Sequence, residues 1–131
     1  MKSPRVAGLT LDTGALLAID QRAKAQMMQF RINALRQRGG TLSIPAAVVA
    51  QAWRSPRQVR LARLINSSDV EIVVMDLDVA RNVGLVCAAT GHHDVIDVHV
   101  ALCARERGHA VVTSDLDDIA RVDPSLMILK V

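Results

Sequence analysis

Apolar residues along the chain fall into short runs and into helical repeats, and the two patterns alternate. The short runs, rich in Val, Ile and Leu, predict buried strands at residues 6–11, 41–44, 70–74, 110–113 and 126–129. Apolar residues spaced three or four apart predict helices at residues 13–20, 24–38, 45–53, 56–66, 76–90, 95–107 and 116–121. Three of these helices are followed by glycine, the residue that most often ends a helix, at Gly39, Gly91 and Gly108.

This alternation of strands and helices predicts an α/β fold. We expect a three-layer α/β/α sandwich around a mostly parallel central sheet of about five strands, because right-handed crossovers place helices on both faces. The chain has 131 residues and half of them are apolar, which suits one domain over residues 1–131 with a sizeable core. Ligands of such sheets bind beyond the carboxyl ends of the strands, so the residues that follow each strand are the candidates for function.

Aspartates stand at these strand ends. Asp12 directly follows the first predicted strand, Asp115 follows the strand at residues 110–113, and Asp94 and Asp97 begin the helix before it. Two interpretations stay open for Asp12, Asp94 and Asp115. Each stands where a helix begins, and Asp is a preferred helix N-cap, but clustered Asp also suits a metal site.

Asp97 has less reason to be only a structural residue. It lies in an apolar stretch, and a buried carboxylate is costly unless it is paired or bound to a cation. No Lys or Arg occurs between Arg81 and Arg105 to pair with it. If the first strand and the strand at residues 110–113 are neighbours, Asp12, Asp97 and Asp115 meet at one sheet edge, where oxygen ligands would suit Mg²⁺ or Mn²⁺.

Four segments resemble, in order and spacing, the four motif blocks of PIN-domain ribonucleases, and in particular the VapC toxins of bacterial VapBC toxin–antitoxin modules. They are LDTGALLA at residues 11–18, PAAVVAQAWR at residues 45–54, DVIDVHVAL at residues 94–102 and VTSDLDDI at residues 112–119. The resemblance implies a compact α/β fold and a Mg²⁺- or Mn²⁺-dependent endoribonuclease, active on structured RNA of the tRNA or rRNA class. It also implies a homodimer and inhibition by a cognate antitoxin.

The resemblance assigns roles by position. It implies that the metal is held by Asp12, Asp97 and Asp115, with Asp94 as a further ligand or a base for the attacking water, and that these four are the catalytic residues. Supporting roles fall to Gln51, Thr113 and Asp118. The second block usually carries Glu where this chain has Gln51. A neutral amide can hold a metal-bound water but adds no charge, so one ion is expected and a second stays open.

Charge is divided unevenly along the chain. Residues 1–63 carry eleven Lys or Arg and two acids, whereas residues 64–131 carry five and eleven, which gives net charges of +9 and −6. Arg57, Arg60 and Arg63 recur every three residues of one predicted helix, and Arg54 precedes it. We interpret these four arginines as a surface that binds RNA phosphates or the antitoxin. A solvated helix face is the alternative.

Other function classes fit less well. A phospho-acceptor receiver domain would need a pair of acids after the first strand, but Asp12 is followed by Thr13. A zinc site would use the histidines and cysteines, whose spacing fits no common zinc pattern: His92, His93, His99, Cys87 and Cys103. A PIN domain that binds RNA or an antitoxin without cleavage stays open, because Gln51 removes one carboxylate from the site.

The expected location is the cytoplasm. Two cysteines in apolar runs suit a reducing compartment. No apolar stretch reaches the length of a membrane span, so no membrane partner is expected. Residues 1–5 are charged and lack the apolar core of a signal peptide.

Overall fold

A computed structural model of the chain describes residues 6–131; the charged start at residues 1–5 lies outside the described residues. Its strands are β1 (Gly8–Leu11), β2 (Thr41–Pro45), β3 (Val70–Val73), β4 (His109–Thr113) and β5 (Ile128–Lys130). Its helices are α1 (Thr13–Asp20), α2 (Ala25–Gln37), α3 (Ala46–Ala52), α4 (Val59–Ile65), α5 (Leu77–Thr90), α6 (Val95–Arg107) and α7 (Leu116–Val122). Every predicted strand and helix is present, with bounds that differ by up to three residues.

The five strands form one sheet in the order β3-β2-β1-β4-β5, and every neighbouring pair is parallel. Helix α1 packs against α2, α3 and α4, whereas α6 packs against α5 and α7 and covers β1, β2 and β4. The predicted α/β sandwich is confirmed, and its sheet is wholly rather than mostly parallel. Strands β1 and β4 are adjacent at the centre, with Leu11 opposite Val112, so their carboxyl ends meet.

The core lies on both sides of the two central strands, where every residue of β1 and β4 is buried. It is almost entirely aliphatic; its largest fully buried side chains include Leu11, Leu16, Met28, Leu42, Ile44, Leu61 and Ile119. Among residues 6–131, no helix is long and apolar enough to cross a membrane.

A buried polar cluster joins β1, β2 and β4 inside this apolar surrounding. The Thr10 hydroxyl lies 2.8 Å from the Ser43 hydroxyl and 3.1 Å from His109 Nδ1, while Thr41 Oγ1 lies 2.9 Å from His109 Nε2. Burial, with help from the Arg107 charge, lowers the pKa of His109 below its ordinary value. The ring is therefore held as a neutral imidazole bonded at both nitrogens.

Helix α4 begins at Val59, three residues later than predicted, and this corrects the predicted arginine stripe. The Gln58 side chain accepts hydrogen bonds from the backbone N–H groups of Arg54 (2.6 Å) and Ser55 (3.0 Å) and donates to Ala52 O (2.9 Å). These bonds hold the preceding segment as a turn that contains Arg57. The prediction of three arginines on one helix was wrong, because only Arg60 and Arg63 lie on α4.

Candidate active site

Three carboxylates line one cleft at the carboxyl edge of the sheet. Asp12 follows β1, Asp115 follows the adjacent β4, and Asp97 lies in the first turn of α6. The cleft has a volume of about 240 Å³, and Gln51 of α3 and Thr13 of α1 also line it. The structure thus brings together the three predicted metal ligands and the residue that stands in the place of the family's Glu.

Asp12 is buried at the start of α1, with 7% of its surface exposed. Its Oδ1 accepts a hydrogen bond from Ala15 N at 3.1 Å, and the Thr113 hydroxyl donates to the same carboxylate. Burial raises the pKa of Asp12, and the charge of Asp97 raises it further, although both hydrogen bonds act in the opposite direction. Asp12 therefore caps α1 and also lines the cleft with a carboxylate whose charged form is disfavoured by burial.

Asp97 is the second destabilised carboxylate. Burial raises its pKa first, and the charges of Asp94 and Asp115 add to this effect. The His92 ring opposes it, with Nε2 at 3.1 Å from Asp97 Oδ2. A cation in the cleft would therefore stabilise the charged forms of both Asp12 and Asp97.

Asp115 is held by the strand that precedes it. The Thr113 hydroxyl accepts a hydrogen bond from Asp115 N at 2.8 Å, while Asp115 Oδ1 caps α7 by accepting from Asp118 N at 3.4 Å. The half-buried Asp118 carboxyl lies beside that of Asp115, and this contact raises the pKa of Asp118. Thr113 thus links the two aspartates that follow the central strands, because its hydroxyl contacts both Asp12 and Asp115.

Two further predicted residues are placed differently. Asp94 does not line the cleft: its Oδ1 caps α6 by accepting from Ile96 N (2.9 Å) and Asp97 N (3.2 Å). Gln51 lines the cleft but directs its Oε1 to the Thr13 hydroxyl, which donates a hydrogen bond to it. Gln51 is therefore held by its neighbour on α1.

Gly14 allows the close approach that closes this cleft. An added Cβ at Gly14 would overlap the Ser114 hydroxyl and would lie 2.7 Å from Ser114 Cβ. The first turn of α1 can therefore pack directly against the segment between β4 and α7. That contact lies beside the two strand ends that carry Asp12 and Asp115.

The family model of the PIN domain matches residues 9–124, which is most of the chain. The chain belongs to the PIN-domain family. A comparison with curated protein sequences finds no significant match.

Several solved structures share the fold of this PIN domain. FitAB bound to an IR36 DNA fragment has a TM-score of 0.65 and 15% identity, covering 93% of this chain and 94% of that one. FitAcB from Neisseria gonorrhoeae has a TM-score of 0.65 and 15% identity, covering 92% and 96%. Mycobacterium tuberculosis VapC20, described as a sarcin-ricin loop cleaving toxin, has a TM-score of 0.59 and 16% identity, covering 86% and 94%. The predicted membership of the PIN-domain family is confirmed by the family model, and the fold is shared with VapC20.

The residues of the cleft suit a divalent cation by their chemistry. Carboxylate, hydroxyl and amide oxygens all face it, and these hard donors are the ligands that Mg²⁺ and Mn²⁺ prefer. Within residues 6–131, no three His, Cys, Asp or Glu side chains already stand in a group that could hold an ion.

A second concave surface, the arginine groove, lies between α2 and α4. It has a volume of about 560 Å³, and its charged lining residues are Arg22, Arg36, Arg60 and Arg63. Arg36 binds Asp69 through two hydrogen bonds of 2.6 and 2.9 Å. The groove also contains apolar side chains that belong mostly to the core, namely Ile19, Ile32 and Leu64.

The other two predicted arginines lie outside this groove. The Arg54 guanidinium donates to Ala50 O (2.8 Å) and Trp53 O (2.7 Å) at the end of α3, which is a capping role. Arg57 is exposed in the turn before α4. Of the four predicted arginines, Arg60 and Arg63 line the groove together with Arg22 and Arg36, whereas Arg54 and Arg57 do not.

Sequence reasoning missed several residues at the site, among them His92, Thr13 and Gly14. His92 was considered only as a zinc ligand, yet it contacts Asp97 from the loop between α5 and α6. Thr13 and Gly14 directly follow Asp12, and their position at a strand-to-helix junction was a signal that could have identified them. No local pattern identified His92, because its contact depends on how α5 ends.

Proposed function

We propose that this PIN domain is a Mg²⁺- or Mn²⁺-dependent endoribonuclease and the toxin of a type II toxin–antitoxin module. The observation that carries the proposal is the cleft at the carboxyl edge of the sheet, where Asp12, Asp97 and Asp115 lie together. Burial and mutual repulsion raise the pKa of two of these carboxyls, so a cation would relieve a cost that the folded protein carries. Membership of a family of nucleases supports the same reaction class.

In this proposal, Asp12, Asp97 and Asp115 hold the ion. A bound Mg²⁺ or Mn²⁺ supplies Lewis-acid chemistry, since it polarises a phosphoryl oxygen and makes water more acidic. The Thr113 hydroxyl contacts both the Asp12 carboxylate and the backbone N–H of Asp115, and so holds the two residues together. Gln51 contributes an amide group, which is bonded to Thr13. Asp94 orients α6 and adds negative charge near Asp97; its use as a base or a fourth ligand stays a prediction.

The proposed partners follow from the charge of the chain and from its structural relatives. We propose RNA of the tRNA or rRNA class as substrate, a cognate antitoxin as inhibitor, a homodimer as the working form and the cytoplasm as the location. The structural relatives include a toxin described as cleaving the sarcin-ricin loop. The arginine groove, with Arg60 and Arg63 at its rim, is the proposed surface for RNA phosphates or acidic side chains.

Cleavage of structured RNA by the purified chain tests the proposal. We expect new RNA ends in Mn²⁺ or Mg²⁺, none in EDTA, and none with Asp12→Asn or Asp97→Asn at equal protein concentration. Asp78→Asn, in the first turn of α5 and absent from the cleft lining, is the matched control and should cleave like the wild type. Cleavage that persists in EDTA or in Asp97→Asn would show that the proposed site is wrong.

A catalytically silent PIN domain is the second candidate. It is favoured by Gln51, which removes the carboxylate of the family's second block, and by the absence, among the described residues, of a ready-made group of three ligands. This candidate predicts that RNA or antitoxin binds without new RNA ends at any Mn²⁺ concentration. Retention of RNA together with intact RNA length would therefore favour binding over cleavage.

A further inference from the structure

His92 contacts the carboxylate cluster from outside it. Its Nε2 lies 3.1 Å from Asp97 Oδ2, and only 11% of its side chain is exposed. Within residues 6–131, the other oxygen of this carboxylate, Oδ1, receives no hydrogen bond. The imidazole therefore occupies one face of Asp97 and leaves the other oxygen available to a ligand.

The end of α5 places this ring. The helix ends at Gly91, whose φ of +72° lies in the left-handed region that glycine adopts most readily. Thr90 Oγ1 then accepts a hydrogen bond from His92 N at 3.2 Å while it donates to Val86 O at 2.8 Å. His92 is thus fixed by the backbone that precedes it, on an element other than the one that carries Asp97.

Carboxylates that bind metals are usually oriented by hydrogen bonds from neighbouring residues, and loss of such a bond typically weakens metal affinity about 10–100-fold. Gln51 is held by Thr13 and does not approach Asp97 through any hydrogen bond of the described residues. His92 is the side chain that bonds to this carboxylate.

We propose that His92 is a positioning residue that holds the Asp97 carboxylate for a divalent cation, an inference that rests on the proposed metal-dependent function. The ring donates from Nε2 to Oδ2 and turns Oδ1 toward the cleft. It acts through Asp97 and makes no contact with substrate in this role. The adjacent His93 is exposed and makes no such bond among the described residues, so it offers a matched control.

The test measures Mn²⁺ binding to the whole chain without RNA. Free Mn²⁺ is quantified by its electron paramagnetic resonance signal at one fixed pH. We expect His92→Ala and His92→Leu to weaken Mn²⁺ affinity about 10–100-fold. His92→Gln, which keeps an N–H donor, should regain most of it, and His93→Ala should match the wild type. Circular dichroism establishes that each variant is folded, and His92→Leu retains bulk if His92→Ala does not fold.

The outcomes separate this inference from the proposed function. Wild-type affinity in His92→Leu, with binding lost in Asp97→Asn, would overturn the positioning role and leave the metal site intact. Equal losses in His92→Leu and His92→Gln would also overturn it, since packing rather than the donor would then matter. A wild-type chain that binds no Mn²⁺ would overturn both.

Discussion

At the scale of single residues, the buried Asp12 and the half-buried Asp97 of the cleft make stability depend on pH and on metal. The pKa values of Asp12 and Asp97 are raised above the ordinary value of 3.8, chiefly by burial. Their contribution to stability is therefore complete below pH 3.8 and is lost as the pH rises through the raised, folded-state pKa. At neutral pH the metal-free protein carries two carboxylates that oppose folding.

Asp97→Asn should therefore melt at a higher temperature than the wild type in EDTA at neutral pH. A gain of about 1 kcal/mol corresponds to about 4 °C in a domain of this size. Asp69→Asn is the contrasting control, because the hydrogen bonds from Arg36 and Ser67 lower the pKa of Asp69 and its charge favours folding. Thermal melts should give shifts of opposite sign, and an Asp97→Asn protein that melts below the wild type would contradict the prediction.

Gln51→Glu tests the second motif block. A carboxylate in place of the Gln51 amide would join Asp12 and Asp97 at the cleft, and repulsion should lower the melting temperature in EDTA. The same charge should attract a cation, so the rise in melting temperature on adding Mn²⁺ should exceed that of the wild type. Paired melts in EDTA and Mn²⁺ measure both effects. Equal Mn²⁺-induced shifts would show that position 51 lies outside the metal shell.

At the scale of elements, two glycines show how helix packing shapes the site. Gly14 lies where α1 meets the segment after β4, and an added Cβ would overlap Ser114. Gly84 lies within α5, and an added Cβ would meet nothing within 4 Å. The same substitution should therefore have opposite effects at these two positions.

Gly84→Ala should raise the free energy of unfolding by about 0.5–1 kcal/mol, because alanine loses less conformational freedom in a helix. Gly14→Ala should lower it by about 1–3 kcal/mol, because an overpacked contact forces α1 away from Ser114. Urea unfolding of both variants measures these changes. A stabilised Gly14→Ala protein would show that the close contact between α1 and this segment is absent.

At the scale of the whole molecule, two buried histidines make the protein less stable as the pH becomes acidic. Burial lowers the pKa of His99 and of His109, so their contribution is present above about pH 6.5 and is lost as the pH falls through the lowered pKa. The carboxylates of Asp12 and Asp97 act in the opposite direction as the pH falls. A single substitution can separate the effect of the histidines on stability from that of the carboxylates.

His99→Leu provides that separation. Neither ring nitrogen of His99 has a hydrogen-bond partner among the described residues, and an unpartnered buried polar group costs about 1–3 kcal/mol. His99→Leu should therefore raise stability at neutral pH by about 1–2 kcal/mol. The gain should grow as the pH falls below about 6.5, because leucine takes up no proton on unfolding. Urea titrations across this range measure it, and a gain independent of pH would contradict the assignment to titration.

The unevenly distributed charges of the chain form a charged surface only in the folded molecule. Arg60→Gln removes a charge from the arginine groove, whereas Arg57→Gln removes one from the turn beside it. If the groove binds RNA phosphates, Arg60→Gln should reduce the slope of log affinity against log salt by about one, and Arg57→Gln should leave it nearly unchanged. Binding in EDTA measures both slopes. An unchanged slope in Arg60→Gln would show that the groove does not bind RNA phosphates, and equal reductions in both variants would show that binding extends beyond the groove.

Local patterns in the sequence were enough to determine the order of strands and helices and the position of Asp12 and Asp115 at strand ends, whereas the adjacency of those two strands came from the structure. A strand's apolar run and a helix's spacing are set by residues close in the chain, and parallel strands bring their carboxyl ends to one edge. The predicted α/β class followed from those patterns, whereas the PIN family was predicted from the resemblance of four motif blocks.

Only the tertiary structure decided which side chains complete each site. The contact of His92 with Asp97 depends on how α5 ends, and the contact of Gln51 with Thr13 depends on how α3 packs against α1. The turn held by Gln58 places Arg57 outside α4. The arginine groove lies between α2 and α4 and does not include Arg57. Such contacts join residues whose proximity is set by the packing of separate elements, and no short sequence window contains that information.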